Sequence, residues 1–135
     1  IEKMLFNDEI EVKDLPKVWN EKYKEYLGVT PKNDGEGVLQ DVHWSGGMFG
    51  YFPSYALGSA VAAQIYYYLK KKMDFEETLE KGNLEVIKTF LKEHIHQYGK
   101  TKTTNEMLKA MTGEEFNPDY YIEYLTNKYT ELYEL

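Results

Sequence analysis

The stretch PSYALGSAVAAQIYYYLKKKM, residues 53–73, sets the fold class. It is the most apolar run in the chain and reads as a helix. Gly58, Ser59, Ala60, Ala62 and Ala63 keep one side thin, so another helix can approach closely. Lys70, Lys71 and Lys72 end the run too early for a bilayer span. Tyr66, Tyr67 and Tyr68 are consecutive and cannot all face one way, so at least one is expected at a surface or an interface.

Working outward, the same helical grammar recurs on both sides. Upstream, DLPKVWNEKYKEYLG places Pro16 in a first turn and Gly28 at the stop, with Val18, Trp19, Tyr23, Tyr26 and Leu27 near helical spacing. VTPKNDGEG then reads as a loop, and GVLQDVHW as a short helix. Downstream, Asp74 caps DFEETLEKG, Asn83 and Gly99 bound NLEVIKTFLKEHIHQYG, and Thr103 with Glu106 forms a capping box closed by Gly113. The last helix takes Asn117 as cap and Pro118 as first residue, with a stripe of Tyr121, Ile122, Leu125, Tyr129 and Leu132. No alternating strand appears. The expectation is an all-α, multi-helix fold, with residues 1–135 forming a single helical domain. IEKMLF, at the first residues, reads like the tail of a helix already under way.

Composition excludes several classes of function. The net charge of -7 argues against nucleic acid and against an anionic membrane surface. The chain has no cysteine, which removes disulfides and thiolate metal sites and makes a cytoplasmic location the simplest reading. All sixteen cations are lysine, so the usual bidentate arginine clamp for a carboxylate is missing. Thirteen tyrosines imply many rings buried with the hydroxyl at a polar edge.

A zinc hydrolase needs three protein ligands, commonly two histidines one helical turn apart. His94 and His96, on an unbroken helix, would stand about 200 degrees apart at ~3.6 residues per turn. There is no HEXXH, no GxSxG elbow and no phosphate-loop lysine after SGGMFGYF. What remains is His43 with Tyr51 and Tyr55, set in QDVHWSGGMFGYFPSYALG, residues 40–58, among four glycines. Two readings stand beside each other: a packed histidine with ordinary tyrosines, or a wall of proton-handling and charge-stabilising groups. His94 and His96 are favoured near a helix C-terminus by the dipole, and the scattered carboxylates read as solvated faces.

GVLQDVHW, residues 37–44, resembles the GXXQDXHW signature of the thermostable zinc carboxypeptidases, the carboxypeptidase Taq family. Gly37, Gln40, Asp41, His43 and Trp44 all match. The continuation SGGMFGYFPSYALG, the later KEHIHQYGK and the closing TGEEFNPDYYIEYL are also similar, so the resemblance covers essentially the whole chain. It implies a predominantly helical, cytosolic, usually homodimeric metallopeptidase of the zincin-like kind that releases C-terminal amino acids from peptides. In that family zinc is held by HEXXH and a downstream glutamate; cobalt is the alternative metal considered. HEXXH, HPF, DXRXT and IRXXAD are absent from these residues, so the chain resembles the C-terminal part of such an enzyme. By the same resemblance, His43 would hydrogen-bond the substrate backbone, and Tyr51 or Tyr55 would donate to the tetrahedral oxyanion. Gln40 and Asp41 would orient His43, Trp44 would pack beneath it, and Gly46 and Gly47 would let the backbone run close to the peptide. The chain by itself is expected to bind no catalytic metal, to cleave nothing and to form an oligomer. The competing expectation is a non-catalytic helical module for peptide binding or dimerisation.

Overall fold

The structure is a computed structural model that describes all residues from Ile1 to Leu135. It is helical throughout and contains no strand, as the sequence predicts. Where the sequence suggests one domain, the chain divides into two compact units, Ile1–Tyr55 and Ala56–Leu135.

The first unit holds α1 (Glu2–Phe6), a 3-10 turn at Val12–Asp14, α2 (Leu15–Leu27) and a long irregular segment. Pro16 lies in the first turn of α2, and Gly28 ends the helix at φ +70, its N–H bonded to the Lys24 carbonyl at 3.0 Å. Leu15 is buried and Val18, Trp19 and Tyr23 are half-buried, but Tyr26 and Leu27 are exposed. The predicted stripe therefore loses its last turn, which no element of this unit covers. GVLQDVHW is not one helix either. It forms two 3-10 turns, Val38–Gln40 and Trp44–Gly46, interrupted at Asp41. The reason is local: the Asp41 carboxylate takes the His43 backbone N–H at 3.1 Å, a bond that competes with helical pairing.

The second unit carries the remainder of α3 (Pro53–Lys72), then α4 (Phe75–Glu80), α5 (Leu84–His94), a 3-10 turn at His96–Tyr98, α6 (Thr104–Thr112) and α7 (Asp119–Tyr133). Its core is Ala60, Ala63 and Leu69 of α3 with Leu108 and Met111 of α6. The thin side of α3 is only partly used, since Gly58, Ser59 and Ala62 stay exposed. The tyrosine triplet fans out as its helical spacing requires. Tyr66 meets Phe75 edge-on at 5.2 Å, Tyr67 leans on Tyr120 at 5.6 Å, and Tyr68 on Phe90 at 6.1 Å. All three are half-buried, each keeping part of its ring at the surface.

Local capping follows the sequence in most places. Asp74 accepts from the Glu77 N–H, and Thr103 and Glu106 complete a reciprocal capping box. α7 starts one residue later than predicted, with Pro118 as its cap and Asn117 accepting from the Asp119 N–H at 2.9 Å. Its predicted stripe is half right: Tyr121 and Leu125 are half-buried, whereas Ile122, Tyr129 and Leu132 are exposed. α5 stops at His94, where Ile95 leaves the helix at φ -130 and ψ -65. His94 and His96 thus sit on separate elements, and the angular argument for one continuous helix does not apply to them. His94 instead stacks on Phe90 at 4.1 Å and donates from Nδ1 to the Phe90 carbonyl at 3.0 Å.

One buried polar side chain fastens this unit. Gln64 is 1% exposed; its Nε2 donates to the Glu115 carbonyl at 2.9 Å, and its Oε1 accepts from the Asn117 N–H at 3.0 Å. The link between α6 and α7 is thereby pinned to the middle of α3. Gln64→Leu keeps the bulk but leaves that carbonyl and that N–H without partners. We expect a loss of about 1–3 kcal/mol, read as a lowered urea midpoint at unchanged slope. An unchanged midpoint would show that the link is held by something else.

The capping box also sets a pH response. The Thr103 backbone N–H, then its hydroxyl, hold the Glu106 carboxyl below the ordinary glutamate range. A depressed folded-state value contributes stability that is present above the unfolded value and lost as pH falls through the folded one. Thr103→Ala should cost roughly 0.5–2 kcal/mol near neutrality. That difference from the parent should shrink in acid denaturation series run below the glutamate range; a difference independent of pH would refute the carboxylate's part.

Candidate functional site

The residues singled out by the sequence lie in the irregular segment of the first unit, except Tyr55, which stands in the first turn of α3. The entry to that segment is fixed by Gly37, the first residue of the signature. A Cβ there would stand 3.2 Å from Asn20 Oδ1 and 3.3 Å from both the Asn33 carbonyl and Pro31, so a larger residue would have to push α2 and the loop apart by a few tenths of an ångström. Gln40 then donates its amide to the Gly35 carbonyl. It closes the preceding loop and makes no bond to His43, unlike the orienting role expected of it.

Asp41 holds His43 in two ways. Oδ1 accepts from the His43 backbone N–H at 3.1 Å and lies 2.9 Å from the ring Nδ1. The side chains are 6% and 14% exposed respectively. An ionised carboxylate only accepts, so the ring hydrogen sits on Nδ1. Nε2 is then left for a ligand: it accepts when the ring is neutral and donates when the ring is protonated. A carboxylate fixing the tautomer through Nδ1 is the arrangement that orients imidazoles in catalytic and metal sites alike.

Three aromatic rings surround the imidazole. Tyr51 lies 5.0 Å away between ring centres, Phe52 5.3 Å and Tyr55 5.9 Å. Tyr51 and Tyr55 meet each other edge-on at 5.7 Å. They are 45% and 58% exposed, so this is an open wall rather than a closed pocket. Tyr51 beside it, with burial as the lesser cause, holds the Tyr55 hydroxyl above the ordinary tyrosine range.

Trp44 faces elsewhere. Its ring meets Trp19 edge-on at 6.2 Å and stacks on Phe49 at 6.3 Å, and its Nε1 donates to Glu2 Oε1 at 2.7 Å. The sequence placed it beneath His43; its contacts are instead those of a prop between α1 and α2. Beyond it, Gly47 and Gly50 both take φ +71, the left-handed turns that bring the chain back to Tyr51. Gly46 is not under that constraint.

The comparisons with known proteins add the decisive observation. The model of the carboxypeptidase Taq (M32) metallopeptidases matches residues 1–129. This chain belongs to that family. It is 53% identical to carboxypeptidase 1 of Bacillus subtilis over 98% of its own length and 27% of the relative's. It is 40% identical to thermostable carboxypeptidase 1 of Pyrococcus furiosus over 96% of its length and 26% of that protein's. The solved structure of metallocarboxypeptidase 1 of Trypanosoma cruzi superposes with a TM-score of 0.88 at 46% identity, covering 95% of this chain and 27% of that one. The chain thus spans about a quarter of the length of the carboxypeptidases it matches. No helix of it is long and apolar enough to cross a membrane.

Within the family segment, the structure places Asp41, Tyr51 and Tyr55 around His43. The sequence missed Glu2 and Phe52. Phe52 carries no chemistry that would mark it. Glu2 sits 42 residues from Trp44, and nothing in a five-residue helix announces a long-range partner.

The Asp41 contact yields a direct test. Asp41→Ala should free the imidazole and leave the His43 N–H without an acceptor, at about 1–3 kcal/mol. Ring 15N shifts of His43 should move from one tautomer toward a mixture. Unchanged shifts would mean that the carboxylate does not set the tautomer.

Proposed function

We propose that these residues are the C-terminal substrate-binding part of a zinc-dependent carboxypeptidase that releases C-terminal amino acids from peptides. The observation that carries this reading is the imidazole of His43, with Nδ1 held by Asp41 and Nε2 left for a ligand beside two hydroxyl-bearing rings. In a family of metallopeptidases, that trio suits one face of a peptide cleft.

Each residue has a role that follows from its chemistry. His43 Nε2 accepts a hydrogen bond from the peptide backbone, or donates one when protonated. A tyrosine hydroxyl donates to the oxygen that gains charge as the scissile carbonyl becomes tetrahedral. Tyr51 and Tyr55 are the two candidates. Asp41 fixes the ring, and the left-handed glycines bring the tyrosines round to it.

Nowhere do three His, Asp or Glu groups converge to hold an ion. His43 has one carboxylate, Asp41, and that oxygen is already committed to its ring and backbone. The groups around His43 therefore do not by themselves make a complete zinc site.

The test uses the polypeptide that carries this segment together with a metal-binding motif, assayed on blocked C-terminal dipeptides. His43→Ala should lower kcat/KM by about 10²-fold. Whichever of Tyr51→Phe and Tyr55→Phe removes the oxyanion donor should lower kcat by about 10²–10³-fold, the other much less. The 135 residues alone should hydrolyse nothing. Unchanged kinetics in all three variants would sink the reading, and peptide binding without any hydrolysis would put a non-catalytic helical binding module in its place.

A further inference from the structure

The carboxylate of Glu2 uses both of its oxygens on the same loop. Oε1 accepts from the Trp44 indole N–H at 2.7 Å, and Oε2 accepts from the Gly50 backbone N–H at 2.7 Å. These two donors stand at the ends of one excursion. Trp44 directly follows His43, and Gly50 directly precedes Tyr51. Between them the chain turns back through Gly47 at φ +71. The only covalent path from His43 to Tyr51 on the wall is therefore this loop, and one side chain from α1 grips both of its ends.

Only a carboxylate does this without conflict. It offers two acceptor oxygens and no donor, matching two N–H groups. An amide would turn one NH2 toward an N–H and lose that bond. Charge on the acceptor also makes both bonds stronger than neutral ones. α1 supplies a second brace, since Phe6 meets Phe49 edge-on at 5.1 Å and Phe49 in turn stacks on Trp44.

We propose that Glu2 is the positioning residue of the wall: it sets the distance and angle between the His43 and Tyr51 rings by clamping both ends of loop 44–50. It touches no substrate and acts only through those two side chains. This rests on the functional reading above, and its test is built to fail separately from that reading.

The experiment is a set of cycles in the same catalytically competent polypeptide. Glu2→Gln is measured alone and in a His43→Ala/Tyr51→Phe background, with native circular dichroism required of each variant. Alone, Glu2→Gln should lower kcat/KM by about 10–100-fold, the range typical of lost outer supports, and the Gly50 amide should exchange faster. In the doubly substituted background the same change should cost less than about twofold, because the groups it positions are gone. If Glu2→Gln fails to fold, Trp44→Phe removes one of the two bonds and runs through the same cycle. No loss from Glu2→Gln, or an equal loss in both backgrounds, overturns the positioning role while leaving the wall intact. No loss from His43→Ala/Tyr51→Phe itself overturns the wall, and the positioning role with it.

Discussion

The first unit depends on one carboxylate that bridges parts of the chain far apart in sequence. Glu2 accepts from Trp44, 42 residues on, and from Gly50, 48 residues on. The segment between α2 and α3 has little secondary structure of its own to hold it. Two 3-10 turns and a few short loop bonds give local shape, but they do not fix where the loop sits. A bridging acceptor with charge-assisted bonds supplies that reference at small cost in buried area. The aromatic cluster of Phe6, Phe49, Trp44 and Trp19 then packs around the bridge.

The second unit solves the same problem with a neutral group. Gln64 is almost wholly buried and satisfies one carbonyl and one N–H of the link before α7. Burying an amide is tolerable only when its donors and acceptors are matched, and here both ends are. In each unit a polar side chain, rather than an apolar one, decides where an irregular stretch lies. Apolar contacts are forgiving of small shifts; a hydrogen bond, being directional, is not.

What the sequence disclosed and what it hid divide along range. The stops at Gly28 and Gly113, the cap at Asp74 and the box at Thr103 are interactions within four residues, and each was readable. The Asp41 grip on His43, two residues apart, was inferred from the family pattern and has a local geometry. The bonds of Glu2 and Gln64 span more than forty residues, and no periodicity encodes them. The exposed ends of the predicted stripes fail for a related reason. Ile122 and Leu132 keep helical spacing, but spacing says only that residues share a face, not that another element arrives to cover it. Gln40 and Trp44 matched the signature yet serve the loop and the prop, because a motif fixes residue identity without fixing the direction in which each side chain points.

The openness of the wall bears on what it can do. A hydroxyl donor facing water gives a substrate little that water does not, since the bond it forms replaces one it already had. The same donor becomes strong when solvent is excluded and the local dielectric falls. Tyr51 and Tyr55 are about half exposed, so these residues alone set geometry without setting strength. The tyrosines are held at a fixed distance from an imidazole of fixed tautomer, and that pre-arrangement persists whether or not water is present. The chain matches about a quarter of its relatives' length. On the reading proposed here, water exclusion must come from elements other than these, brought against a face whose polar groups are already in place. On that reading pre-organisation and desolvation are separable contributions, and the folded segment carries the first of them.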